Sequence, residues 1–456
     1  MSMDYPTSSS RFDLYVKLML IRKGFDDPLA LDCYREIVGA FSFGEFTEPG
    51  SPEKVGYSAF INEFQTVYLS IKNNGYLRSA EPIPLAIDGT ILNGSHRLAS
   101  CIALRTQPTF VQTSQPPEDY SFKFFVNRGV GNDILREVAS HIPNEEEEAR
   151  LAILWPTAYS HQKAFEQLDL DILYKEEVSL DLFGLTLLIT QTYPDDPWIG
   201  TPPHFKGAFE KATQCFASHP VTIYLVVPNP QKSLTAIKEI FRSKCCLGKA
   251  ALHTTDTQIE TGTLAATILN KNWIALCQKT INQSLTTRAL QKLYVIKKQY
   301  PDKLDQLMLD GSTVLMLHGL RDAEDLDIII KPNHPELDRN FNDINIRTED
   351  QLKFYKTDIN NLFRDSRNYM IIFGIKIASI ELVKEFKINR QEKKDKSDLI
   401  LIGSLKAPHQ IDIFILRAEA KIRIFRTRSR RAIVEILICI RIYPILKKIY
   451  QYVVSK

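Results

Sequence analysis

At 456 residues the chain is long enough for two to four domains of roughly 100–200 residues each. Its 44% hydrophobic and 24% charged residues exclude wholesale disorder, collagen and coiled coil, and a net charge of +3 excludes a polycation built to coat nucleic acid. The charge is uneven: residues 417–456 carry eleven Lys/Arg against Glu419 and Glu435. That leaves the tail at +9 and the rest of the chain at −6.

Taken in chain order, the elements begin with a helical pattern at Phe12, Leu14, Tyr15, Leu18 and Leu20 and a second helix over Ser58–Ile71. A strand from Ile83, a turn at Asp88-Gly89 and a helix opened by Asn93-Gly94-Ser95-His96-Arg97 follow. The acidic run Glu145–Glu148 is expected to be a solvated helix start or hinge beside a domain boundary. Between 151 and 280 short apolar runs alternate with helical stretches. Strands are expected at Leu185–Thr190, Val221–Val227 and Lys249–His253, and helices at His204–Ala217, Ser233–Phe241 and Ile259–Leu269. This alternation predicts a central α/β layer. Beyond 285 come strands over Thr313–Leu317 and Leu326–Ile330, a pair around Tyr369–Ser379, and a charged helix Glu381–Asp398. The expected division is 1–140, 150–282, 285–416 and a basic amphipathic tail 417–456.

Seven scattered cysteines without a C-x-x-C pair argue against a disulfide framework or a thiolate zinc site. The first residues lack an apolar secretory core, and Ala432–Val454 is interrupted by Glu435, Arg441, Pro444, Lys447 and Lys448. The expectation is a cytoplasmic protein that can sit peripherally at the inner face of the membrane, its tail offering aliphatics and cations to lipid. Nucleic acid is the less favoured partner, because base stacking calls for exposed aromatics.

Two constellations carry chemistry. In the first, Gly94 permits close backbone approach, Ser95 caps a helix, and His96 and Arg97 offer donors to an anion, with Asp88 in the preceding turn; an ordinary capped helix explains the same residues. In the second, Asp325 and Asp327 stand at i, i+2, so a strand places both on one face, where Mg²⁺ can separate them and join them to a triphosphate. Gly319 would let backbone approach phosphates and Arg321 would neutralise them. In the middle region His253, Asp256 and Glu260 at a strand end could hold a metal or an acid/base pair, or Thr255 or Asp256 could simply cap the next helix. Trp198 reads as part of a packed turn.

Residues 83–104, with their apolar strand, D-G turn and G-x-H-R helix start, resemble the signature of the ParB/sulfiredoxin-like fold, over a domain of about 11–130. The resemblance implies a nucleotide phosphate at Gly94–Arg97. Kinases of this fold imply a carboxylate base, for which Glu48 is the candidate, with Lys54 beside it on the nucleotide. Ser95 occupies the place of the sulfiredoxin cysteine. Residues 285–400 resemble the nucleotidyltransferase fold through the glycine turn at Gly319-Leu320, the D-x-D of Asp325 and Asp327, and a Lys387–Asp398 helix like that of small nucleotidyltransferase-like families. This implies Mg²⁺ on Asp325 and Asp327 and ATP or another NTP, with a third carboxylate among Asp358, Asp365 and Glu381; a degenerate, non-catalytic domain is the other reading. Together the resemblances imply a phosphoryl or nucleotidyl transferase acting on a small hydroxylated metabolite, in cell-surface polysaccharide or lipopolysaccharide synthesis. A ParB-like binder or an RNA-directed, toxin-type nucleotidyltransferase is the alternative.

Overall fold

The structure is a computed structural model that describes residues 9–48, 51–77, 81–194, 196–229, 233–323, 326–331, 344–347 and 349–405. Asp325 and the basic tail therefore lie outside the described residues. The fold is mixed α/β, mostly helical with small sheets. Among the described residues no helix is long and apolar enough to cross a membrane.

Strands β1 (Thr47–Glu48) and β2 (Ser51–Val55) form an antiparallel pair, and β3 (Ile83–Leu85) and β4 (Phe110–Gln112) a parallel one. Helices surround them. Phe12–Lys23 is buried all round from Phe12 to Leu20, including Asp13 and Lys17, whose charges close on each other and on Arg11 at 2.6 and 2.8 Å. A helix with no wet face belongs to a core, and its ions are tolerated there because they are paired.

The central layer holds β5 (Arg150–Leu154), β6 (Leu170–Val178), β7 (Val221–Pro228) and β8 (Leu252–Thr254) in the order β6-β7-β5-β8, every pair antiparallel. Alternation explains why β5 and β7 read as unbroken apolar runs. Leu151, Ile153, Ile223 and Leu225 face the main core, whereas Ala152, Leu154, Tyr224 and Val226 face a second cluster with Phe165 and Phe241.

The last region carries β9 (Leu307–Asp310), β10 (Leu326–Ile330), β11 (Ile344–Ile346), β12 (Tyr369–Ile372) and β13 (Ile375–Ala378) in the mixed order β11-β10-β9-β13-β12. The hydrophobic core is continuous from Phe12 to Ile402, across all three regions.

Several sequence expectations change. Residues 185–190 lie in a helix, Leu182–Thr192, that Asp181 caps by accepting from Gly184 N at 2.7 Å. A short apolar run fits a buried helix as well as a strand, and the cap decides. Likewise 313–317 belong to a buried helix, Ser312–Leu317, and the strand lies just before it, in β9. Residues 248–250 form a 3₁₀ turn ahead of β8. Glu145 ends the helix Asn132–Glu145 and receives a bidentate pair from Arg22 at 2.9 and 3.0 Å. The charged 381–398 segment is two helices, Ile380–Arg390 and Lys393–Ser404, separated at left-handed Gln391 by a capping box in which Glu392 and Asp395 exchange bonds.

Candidate functional site

The glycine-rich corner of the first region folds inward. Gly94, left-handed at φ +83°, is the N-cap, and Ser95 is the first helical residue, not the cap. His96 is half-buried. Its ring stacks on Phe64 at 4.5 Å between centroids and its Nε2 meets Tyr34 OH at 2.9 Å. Burial, and then the nearby charges of Lys17 and Lys54, hold the imidazole well below its ordinary pKa, so it is neutral. Arg97 donates to the Glu81 carbonyl. Asp88 is exposed and closes its own turn, accepting from the N–H and hydroxyl of Thr90 at 3.0 and 2.8 Å. Glu48 is bound to Lys54 at 2.6 Å, while the same ammonium reaches Glu63 at 2.7 Å and lies over the Phe60 ring. Of these charges, Glu48 and Lys54 are directed at each other, Arg97 at a carbonyl and Asp88 at Thr90.

A different picture emerges on the last sheet. Strands β9 and β10 run antiparallel with Asp310 directly opposite Asp327. Two carboxylates facing across a ladder repel, and Arg347, the residue after β11, resolves the conflict. Its Nη2 lies 3.0 Å from Asp310 Oδ2 and 3.1 Å from Asp327 Oδ2, and its Nε donates to Asp310 Oδ2 at 3.1 Å. Tyr355 OH also donates to that oxygen, and the guanidinium packs on the Phe386 ring at 4.7 Å. Burial raises the phenol of Tyr355 well above its ordinary pKa, and the Asp310 charge adds to this, so it remains a donor. The other oxygen, Asp310 Oδ1, is buried with no hydrogen-bond partner among the described residues.

Gly311 makes the arrangement possible. It has φ +65°, and a Cβ there would come within 2.1 Å of Asp327 Oδ2. The glycine turn that borders the carboxylates is therefore Gly311, followed by Ser312. Gly319 lies elsewhere: at φ +71° it packs on the backbone of Asn282, which a Cβ would approach to 2.4 Å. This corrects the reading of Gly319 as the residue that opens the backbone to phosphates.

The second wall is the helix pair. Lys387 lies between Asp395 at 3.3 Å and Asp398 at 2.7 Å, Arg390 pairs with Asp395 at 2.7 and 3.0 Å, and Arg321 with Asp398 at 2.6 and 3.0 Å. Burial would raise Asp398; hydrogen bonds from Arg321 and Lys387 outweigh it and hold the carboxylate below its ordinary range. Arg321 thus ties the loop after the Ser312–Leu317 helix to the last helix. A third wall is the face of Gln283–Gln299 that carries Arg288, Gln291, Lys292 and Val295.

Between these walls is a cleft of about 1240 Å³ that Gly311, Ser312, Asp327, Arg347 and Lys387 all line. Seven basic residues border it against four acidic ones, and four of the seven, Arg321, Arg347, Lys387 and Arg390, are already paired with Asp310, Asp327, Asp395 and Asp398. Its volume exceeds the roughly 300–1,000 Å³ of a site for one small ligand. None of the residues from Asp88 to Arg97 reaches it, nor do Glu48 and Lys54.

Of the third-carboxylate candidates, Asp358 caps the Ile359–Arg364 helix, Asp365 pairs with Arg367, and Glu381 is half-exposed beside Lys384. None lines the cleft. In the middle region a helix cap is present, but it is Thr257 and not Thr255 or Asp256: Thr257 accepts from Glu260 N at 3.1 Å while Glu260 reaches back to Asp256 N at 2.7 Å. His253 is buried against Tyr193, and its pKa is pushed down to about 3, chiefly by burial. Among the described residues no three His, Cys, Asp or Glu come together as a metal set. Trp198 is about half-exposed, its indole N–H donating to Asp196 at 2.8 Å.

Asp310, Gly311, Ser312, Arg347 and Tyr355 were not singled out by sequence reasoning. A local signal existed for the first three, an Asp-Gly-Ser step closing the apolar run Leu307–Leu309. Arg347 and Tyr355 had none, because they reach Asp310 from 37 and 45 residues away. No family model, curated protein or solved structure matches the chain.

Proposed function

We propose that the chain is a nucleotide-dependent transferase whose reaction takes place in the cleft over the β9–β10 edge, most simply a nucleotidyl transfer to a small hydroxylated acceptor. One observation carries the reading: Asp327, pressed against the Gly311-Ser312 turn, opens onto a basic cleft large enough for a nucleoside triphosphate and a second molecule. The resemblance of 285–400 to nucleotidyltransferases supports it: a strand, a glycine–serine step, a short helix, and a strand bearing the carboxylate. Carboxylate oxygens are the hard donors that suit Mg²⁺, so Asp327 with Asp325 would hold the ion. When bound, Mg²⁺ supplies charge neutralisation and orientation at the triphosphate. On the chain's side Arg347, Lys387 and Arg390, each already paired with a carboxylate, and Lys292 on another wall are the donors that would meet the phosphates and hold them in line for attack. The acceptor would use the remaining volume, and polysaccharide or lipopolysaccharide precursors are hydroxylated molecules of that kind. The inward-facing His96 corner has no role in this scheme.

The test is calorimetric titration of the full chain with ATP, CTP, GTP and UTP, each with Mg²⁺, followed by label-transfer assays. At least one triphosphate is expected to bind, and Asp327→Asn is expected to cut transfer by on the order of 10²-fold or more. No binding by any of the four overturns the proposal. The RNA-directed alternative gains from the exposed cations Arg288 and Lys394 on the rim; it requires RNA binding that weakens steeply with salt.

A further inference from the structure

We infer that the cavity lined by Tyr355, across the Ile380–Arg390 helix from the cleft, is a second ligand site, built for a small neutral polyol such as a monosaccharide or a cyclitol. The inference goes beyond the transferase reading and does not rest on it: no residue that lines the cleft lines this cavity.

The helix divides the two spaces. Helical spacing puts Lys387 and Arg390, which line the cleft, on one side, and Leu382, Glu385, Ile388 and Asn389, which line the cavity, on the other. At about 610 Å³ the cavity falls within the range of sites that enclose one small molecule. Tyr355, Leu382 and Ile388 give it apolar surface, suited to the C–H face of a ring.

Its polar groups offer oxygens that the fold leaves to a ligand. Asn361 donates its side-chain amide to Asp358, Asn368 to the Asn361 carbonyl at 3.1 Å, and Asn389 to the Phe354 carbonyl at 2.7 Å. These bonds settle which end of each amide is the nitrogen. No donor among the described residues reaches any of the three side-chain oxygens, and the hydroxyl of Thr357, on the same cavity wall, has no partner among them either. Each of these oxygens accepts a bond from a ligand O–H.

Charge does not select the ligand. Asp27 is matched by Arg364 at 2.9 Å and Asp365 by Arg367 at 2.6 Å. Lys356 and Glu385, one of each sign, are the lining charges without an ion pair among the described residues. Amide oxygens and a hydroxyl beside apolar surface, with the charges balanced, match a molecule whose O–H groups both donate and accept, rather than an ion.

The experiment is saturation-transfer NMR on the full chain, with D-glucose, N-acetyl-D-glucosamine and myo-inositol as probes and acetate and tetramethylammonium as charged controls. At least one polyol is expected to receive saturation on its C–H protons and to half-saturate in the millimolar range, and neither control should. Ile388 is 46% exposed, so Ile388→Trp fills the cavity without entering the core and should abolish the transfer. Thr357→Val removes one hydroxyl and should weaken binding several-fold. Silence from all three polyols overturns the inference, as does equal transfer to a control, or transfer that persists in folded Ile388→Trp. Should Ile388→Trp not fold, Thr357→Val decides: weaker binding supports the inference and unchanged binding overturns it. The readout uses no triphosphate and no cleft residue, so it is independent of whether the cleft transfers nucleotides.

Discussion

Gly311 and Asp327 are bound by a steric fact, since a single methyl group at 311 would occupy the place of the Asp327 carboxylate oxygen. Gly311→Ala therefore costs roughly 1–3 kcal/mol from the left-handed backbone alone and displaces Asp327 as well. The expected result is a lower denaturation midpoint together with lost triphosphate binding, whereas intact binding would detach Asp327 from the proposed site. His96 should behave in the opposite way. Half-buried, stacked on Phe64 and bonded to Tyr34, it supports the packing around it, so His96→Ala should lose about 1–3 kcal/mol of stability yet leave triphosphate affinity unchanged. Buried imidazoles also set an acid limit. His253 and His318 are held down to about 3 and about 4 by burial, and His96 is shifted the same way. The unfolded chain takes up these protons near 6.5 while the native chain does not, so it binds more protons across that window and stability falls as pH drops from 6.5 towards 4. A melting temperature no lower at pH 5 than at pH 7.5 would contradict this assignment, and His318→Phe should flatten the slope.

Among the elements, caps and buried ions do most of the specifying. Asp181 turns an apolar run into the helix Leu182–Thr192, and Asp181→Ala should lower stability by about 1 kcal/mol, read from the denaturant midpoint. The hinge between the last two helices is held by a network rather than by apolar contact. Lys387 touches Asp395 and Asp398, and each of these keeps an arginine of its own. Lys387→Ala leaves two buried carboxylates short of a partner; because their arginines remain, a loss of about 3 kcal/mol is expected, at the low end for a broken buried pair. A loss below about 1 kcal/mol would mean that the network is solvated and not structural.

At the scale of the molecule, the first and last regions are joined by charge as well as by core. Arg364 reaches Asp27 at 2.9 Å and Arg367 reaches Asp32 at 2.7 Å, across more than 300 residues of chain. With a core continuous from Phe12 to Ile402, the described regions should unfold together, as one calorimetric transition whose midpoint also rises with Mg²⁺ and a bound triphosphate. Two well-separated transitions would show that the regions are stable independently. The cleft belongs to this scale too, because its three walls come from helix 283–299, the β9–β10 edge and the 380–404 helix pair.

By itself the sequence determined the elements whose pattern is local: Leu326–Ile330 as a strand, the paired strands near 369–379, and most helices of the middle region. It also placed Asp327 on a strand. Apolar runs at 185–190 and 313–317 were ambiguous, because both faces are buried in either conformation and only a cap or a neighbour selects one. Only the tertiary structure decided which charges meet. His96 and Arg97 look like an anion grip in sequence, yet helix packing turns the histidine against Phe64 and Tyr34 and the arginine onto a carbonyl. Asp310 looks like a turn residue until strand register sets it against Asp327 and Arg347 arrives from the end of β11, the strand beside β10. Spacing along a chain fixes which residues share a face; the partners that determine their charge come from elements folded over them from far away.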